Sequence, residues 1–128
     1  MDAMSFFKNL FGQKQAPIPK SDGMDLHLVR LHIPVRGEMG DDDEFDRWVA
    51  LEDALGEAAE AAGLGELDGN EIGDGEFTIW LYGPDAARLA QLVKEKALDH
   101  NLPPGCRLFL RHGGVEDPGA KEESYGIT

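Results

Sequence analysis

Two extended stretches, residues 66–72 and 76–82, lie on either side of Gly73-Asp74-Gly75. A short glycine-containing turn between two extended stretches is typical of a β-hairpin. The second stretch contains Phe77-Thr-Ile-Trp-Leu-Tyr82, the strongest strand pattern in the chain, because aromatic and β-branched residues dominate it. The rest of the fold must therefore be placed around a central hairpin.

A strand and a helix are expected before this hairpin, and a helix and a strand after it. Residues 26–35 are rich in β-forming side chains and predict a strand. Apolar residues recur at helical spacing within 41–62 and again within 84–97, and both segments predict amphipathic helices. Residues 106–112 predict the last strand.

The resulting order is strand, helix, strand, strand, helix, strand, which is the ferredoxin-like order of an α+β domain. Right-handed crossovers then place both helices on one face of a four-stranded sheet of antiparallel type. A chain of 128 residues fits one domain. We expect that domain at 25–112, between an amphipathic arm with a flexible linker at 1–24 and a mobile C-terminal tail at 113–128.

The arm carries apolar residues at Phe6, Phe7, Leu10 and Phe11, which is helical spacing over about two turns. So short a segment would adsorb to a membrane only weakly and reversibly, and docking onto this protein or a partner is the favoured interpretation. No apolar run approaches the roughly 18 residues of a membrane span. With Cys106 as its only cysteine the chain cannot form an internal disulfide, which suits the cytoplasm.

Side-chain alternation predicts which residues lie on the sheet face opposite the helices. If the more apolar side of each strand faces the helices, the other side presents arginine, histidine and aromatic residues. The first, third and fourth strands are neighbours in this fold, so these side chains should form one patch. Its members are Arg30, His32, Trp80, Tyr82, Arg107, Phe109 and Arg111.

Three occupants of this face are considered. A second copy or the protein's own arm would cover a patch that is rarely left exposed to water. A different protein could bind it, since arginine, tryptophan and tyrosine are the usual anchors of interfaces. Single-stranded nucleic acid is disfavoured, because the aromatic motif of RNA-recognition modules is missing and the chain has a formal net charge of −13.

No pattern indicates a catalytic, cofactor or metal site, and none is expected. The chain contains no phosphate-binding loop, nucleophile elbow or dinucleotide fingerprint. The acidic residues of 66–76 do not fit a calcium-binding loop and are interpreted as the solvated edge of the hairpin, whereas those of 41–44 are interpreted as a helix cap. Cys106 is expected to pack in the core.

Three segments carry a resemblance to known proteins. They are Gly63-Leu-Gly-Glu-Leu-Asp-Gly-Asn-Glu-Ile-Gly-Asp-Gly-Glu76, Leu81-Tyr-Gly-Pro-Asp85 and Leu102-Pro-Pro-Gly105. The chain resembles, over roughly 44–113, small bacterial proteins of ferredoxin-like pattern with no assigned activity. The resemblance implies the fold and leaves the function open.

The sequence therefore predicts a small acidic, non-enzymatic interaction or regulatory module that acts through this face, as a homodimer or bound to a protein partner. One alternative is an immunity-type inhibitor that neutralises a basic toxin by charge complementarity. Another is an enzyme that binds a small molecule on the same face, with His32 as base and the arginines holding an anionic substrate.

Overall fold

A computed structural model describes residues 26–114 and 116–128 of the chain. The arm and linker expected within 1–24 lie outside the described residues. Within them the protein is an α+β structure with two helices and one antiparallel sheet of five strands. The elements are β1 (His27–Pro34), α1 (Asp42–Ala61), β2 (Glu66–Gly73), β3 (Glu76–Gly83), α2 (Ala86–Leu98), β4 (Arg107–His112) and β5 (Lys121–Gly126).

Local sequence signals explain where these elements begin and end. Asp41 caps α1: its carboxylate accepts the backbone N–H of Glu44, and the Glu44 side chain accepts the backbone N–H of Asp41. This reciprocal capping box confirms the interpretation of the acidic cluster as a helix cap. The hairpin turn has positive φ at both central residues, Asp74 and Gly75, as a type I′ turn requires.

The strand order across the sheet is β2-β3-β1-β4-β5, and every neighbouring pair is antiparallel. The expectation of four strands is wrong. Residues 121–126, expected to belong to the C-terminal tail, pair with β4 along its whole length, from Arg107 opposite Gly126 to His112 opposite Lys121. Their sequence, Lys-Glu-Glu-Ser-Tyr-Gly, lacks the apolar alternation of β1, β3 and β4, and neither helix contacts β5 to bury one of its sides.

The core lies between the sheet and the helices. The inward side of each central strand is buried, as side-chain alternation predicts, and Cys106 is fully buried with it. The buried strand residues are Val29, Leu31, Ile33, Phe77, Ile79, Leu81, Leu108 and Leu110. From the helices, Trp48, Leu51, Leu55, Leu89 and Val93 pack against them.

Both helices cover the same side of the sheet. α1 contacts β2 and β3, whereas α2 contacts β1, β3 and β4. We call the opposite side the open face. Within the described residues, neither helix is long and apolar enough to cross a membrane.

Candidate functional site

The structure places all seven predicted residues on the open face, in three rows that run across the strands. In the central row Trp80, Arg30 and Phe109 are directly opposite one another on β3, β1 and β4. His32 is opposite Arg107 in the second row. In the third row Leu28 separates Tyr82 from Arg111. Side-chain alternation thus places the seven residues on one face, and the strand register determines which of them are cross-strand neighbours.

The central row is a stack of one cation between two rings. The guanidinium carbon of Arg30 lies 5.1 Å from the centroid of the Trp80 ring and 4.1 Å from that of the Phe109 ring. Both distances are within the range of cation–π attraction. The two rings therefore hold the Arg30 side chain over the middle of the sheet.

Arg30 has no hydrogen bond to any residue that the structure describes, and its Nε atom is buried without an acceptor. Burial lowers the pKa of Arg30, while the carboxylates of Glu122 and Glu71 oppose this effect from a distance. A guanidinium does not lose its proton in proteins, so Arg30 is a permanent, partly desolvated charge. Attraction to the two rings compensates for some of the lost hydration.

Glu76, one step further along β3, joins the residues of the second row into a polar cluster. One carboxylate oxygen, Oε1, lies 3.2 Å from Nδ1 of His32, and the other, Oε2, accepts a hydrogen bond of 3.1 Å from Nη2 of Arg107. The hydroxyl of Thr78 is 3.3 Å from the same His32 nitrogen. Burial lowers the pKa of His32, and Glu76 opposes that shift.

Arg111 holds β5, and the segment that precedes it, against β4. Its Nη1 donates a hydrogen bond of 2.8 Å to Oε2 of Glu122 on β5, and its Nη2 donates to the carbonyl oxygens of Gly114 and Asp117. With its side chain only 21% exposed, Arg111 is a structural anchor.

Tyr82 is held neutral. The pKa of its phenol is raised to about 12, mainly by burial and also by the nearby Asp68 carboxylate, against an opposing effect of Arg30. The residue therefore offers the open face an aromatic surface with a hydroxyl group.

The open face also carries carboxylates, none of which is among the seven predicted residues. Glu76 and Glu122 each neutralise an arginine, and Glu66 and Glu71 lie opposite Tyr82 and Thr78 on β2. Glu76 continues the outward series of β3, and Glu122 is on β5, which was not recognised as a strand. Glu66 and Glu71 are five residues apart, so they share this face only because of the β2 bulge between Leu67 and Gly69, which alternation alone does not reveal. The open face is consequently mixed in charge, with Arg30 as its central cation.

A groove of about 380 Å³ lies away from this face, at the end of β1 and the start of α1. None of the seven residues lines it. Its walls are Pro34, Val35, Arg36, Asp43, Glu44, Arg47, Trp48, Pro103 and Pro104.

One other residue considered in the sequence, Cys106, has a definite position. Cys106 lies in the core, where burial raises the pKa of its thiol and its Sγ is 3.4 Å from the carbonyl oxygen of Pro103. In 26–114 and 116–128, no three His, Cys, Asp or Glu side chains are grouped so that they could hold a metal ion.

Comparisons with known proteins add no relative. No protein-family model, no curated protein and no solved structure matches the chain. The resemblance to small bacterial proteins of ferredoxin-like pattern therefore stays a prediction.

Proposed function

We propose that this protein is a non-enzymatic interaction or regulatory module whose binding surface is the open face of its sheet. The observation that carries the proposal is the stack of Trp80, Arg30 and Phe109 on the side that neither helix covers. Tryptophan and arginine are the residue types most enriched among the energetically dominant positions of protein interfaces. The stack also pre-organises Arg30, so that less side-chain entropy is lost when a partner binds.

The polar surroundings favour a protein as the occupant. Arg107 and Arg111 are already paired with Glu76 and Glu122, so the face has few unpaired cations with which to hold a polyanion. A nucleic acid would also meet the net charge of −13. A protein surface can instead cover the Trp80 and Phe109 rings. It can also present both acidic and basic side chains to a face that itself carries both.

We further propose that β1 to β4 with the two helices form a ferredoxin-like unit to which β5 is added at one edge. The strand order β2-β3-β1-β4 supports this assignment, since each helix then joins two parallel strands that have a third strand between them. A cytoplasmic location is proposed on the ground that the single cysteine is a buried free thiol.

The direct test is light scattering after size-exclusion chromatography, at several concentrations, on the wild type and Trp80→Glu. Leu98→Glu is the matched control, because Leu98 is an apolar residue 45% exposed at the end of α2, on the helix side. A wild-type dimer that Trp80→Glu dissociates and Leu98→Glu preserves would support self-association through the open face. A dimer that survives Trp80→Glu places the interface elsewhere.

If the wild type is a monomer, a photo-crosslinking amino acid at position 109 tests for a different partner in cells that naturally make the protein. The same amino acid at Glu57, exposed on α1, provides the background. One discrete adduct from position 109 and none from position 57 would support the proposal. A monomer with equal labelling from both positions would reject it.

An immunity-type inhibitor of a basic toxin is the second candidate. The specific observation in its favour is β2, which carries Glu66, Asp68 and Glu71 and no basic residue. Complementary charge of this kind speeds association with a cationic partner and selects against anionic ones.

A further inference from the structure

The central row of the open face continues onto β2, where its next member is a glycine. Gly69 is directly opposite Trp80, just as Arg30 is opposite Trp80 on the other side. A β-carbon built at Gly69 would meet nothing within 4 Å. The indole therefore has a cation on its β1 side and open space above the backbone on its β2 side.

Backbone conformation keeps this space open. Gly69 has φ of +148° and lies at the irregularity where the β2 register shifts between Leu67 and Gly69. Side chains rarely adopt this conformation, so a larger residue at this position would be strained. The gap beside Trp80 is thus a built feature of the bulge.

Carboxylates lie on either side of the gap. Glu66 is opposite Tyr82 and Glu71 is opposite Thr78, one step along the sheet in each direction from the Gly69–Trp80 pair. Both glutamates are exposed. Each step is about 6.6 Å, so a long side chain can bring its carboxylate over the gap from either direction.

A cation in the gap would be attracted more strongly than it is repelled. Its distance from Arg30 would be about two strand spacings, roughly 9.6 Å, which exceeds the screening length of about 8 Å at physiological salt. Contact with the ring and with two carboxylates at a few ångströms is screened far less. An anion in the same place would be repelled by Glu66 and Glu71, and no cation would be in contact with it to offset that repulsion.

We propose, resting on the function proposed above, that the gap over Gly69 receives an arginine side chain of a basic protein partner. The guanidinium stacks on the free side of the Trp80 indole, and Glu66 and Glu71 accept its hydrogen bonds. Arginine suits the gap better than lysine, since its planar group both stacks on a ring and donates in a fork to carboxylates. With the partner's guanidinium bound, the central row alternates cations and rings: the partner's guanidinium, the Trp80 indole, the Arg30 guanidinium and the Phe109 phenyl ring.

The test uses capped hexa-arginine and hexa-lysine peptides as probes, with affinity measured by titration calorimetry at physiological salt. Glu66→Gln/Glu71→Gln removes the two carboxylates at the gap. Glu57→Gln/Glu60→Gln removes two exposed carboxylates on α1 and changes the net charge by the same amount. We expect hexa-arginine affinity to fall about tenfold in the first double variant and less than threefold in the second.

Equal losses in the two double variants would overturn the site, because they would show attraction to overall charge only. Trp80→Leu should remove the preference for hexa-arginine over hexa-lysine, and a preference that persists would overturn the stacking. If Trp80→Leu fails to fold, NMR chemical shifts of the wild type decide: perturbations centred on residues 69–71 and 80 support the site, and perturbations on α1 reject it. Failure of this site alongside a positive result at position 109 would leave the interaction function intact with a partner of other chemistry.

Discussion

The guanidinium carbon of Arg30 lies 4.1 Å from the centroid of the Phe109 ring, its direct cross-strand neighbour on β4. Trp80 stands on the other side at 5.1 Å. A planar cation between two rings gains attraction from both, and no described residue accepts a hydrogen bond from it. The contribution of Arg30 to stability therefore depends on the planar shape of its guanidinium as well as on its charge.

Arg30→Lys tests this dependence. The variant keeps the charge but loses the planar group that contacts both rings, and we expect the free energy of unfolding to fall by about 1 kcal/mol. Arg107→Lys is the control, since Arg107 is 44% exposed and pairs with Glu76 near solvent, and its change should stay within about 0.5 kcal/mol. Urea unfolding of both variants measures the difference; equal effects would show that the stack contributes nothing particular to stability.

Much of the fold follows from patterns within single segments. Alternation in 76–82 identified β3 and both of its faces, and the acidic residues 41–44, interpreted as a helix cap, marked the start of α1. β5 was missed because Lys121–Gly126 has no apolar alternation. Its position depends on pairing with β4 and on contacts such as Arg111 with Glu122, which arise only in the folded chain.

The candidate site shows the same division. Alternation alone places Arg30, Trp80 and Phe109 on one side of the sheet. That they share a row depends on the registers of β1 with β3 and of β1 with β4, which arise from pairings distant in sequence. The pairing of Glu76 with Arg107 has the same origin. Two of the three arginines in the predicted patch, Arg107 and Arg111, are therefore neutralised by carboxylates.

Gly83 is expected to tolerate no side chain. A β-carbon there would lie 2.0 Å from the carbonyl oxygen of Leu64, a backbone atom that cannot rotate away. Gly83→Ala should lower the free energy of unfolding by about 2–3 kcal/mol or more. Gly73→Ala is the matched control on the adjacent strand, where a β-carbon meets nothing within 4 Å, and its thermal unfolding should be close to that of the wild type. Equal melting temperatures would contradict the close approach at Gly83.

His32 should make stability depend on pH. Burial lowers its pKa in the folded protein, Arg30 and Arg107 act in the same direction, and Glu76 opposes them. The unfolded chain therefore binds a proton at a higher pH than the folded chain does, so the stability present above about pH 6.5 is lost as the pH falls through the folded pKa. His32→Gln should lose less stability than the wild type over this range in urea unfolding at a series of pH values. Parallel curves would show that His32 does not couple to folding.

Cys106 is expected to react slowly with thiol reagents in the native protein. The residue is fully buried, and burial raises the pKa of the thiol, which leaves less of the reactive thiolate. Alkylation by iodoacetamide at about pH 8, followed by mass spectrometry, should be far slower in buffer than in urea. Similar rates in both conditions would mean that the core around β4 opens readily.

Arg111 should control how firmly β5 is attached. It donates hydrogen bonds to Glu122 on β5 and to the carbonyl oxygens of Gly114 and Asp117, and neither helix contacts β5. Loss of such charge-assisted bonds costs about 1 kcal/mol at a partly exposed site, so Arg111→Gln should speed amide exchange in Lys121–Gly126 about fivefold. Arg107→Gln, on the same face of β4 but paired with Glu76 on β3, should leave exchange in β5 unchanged. If the two variants speed exchange equally, β5 is held by its backbone pairing with β4 and the Arg111 contacts do not determine its attachment.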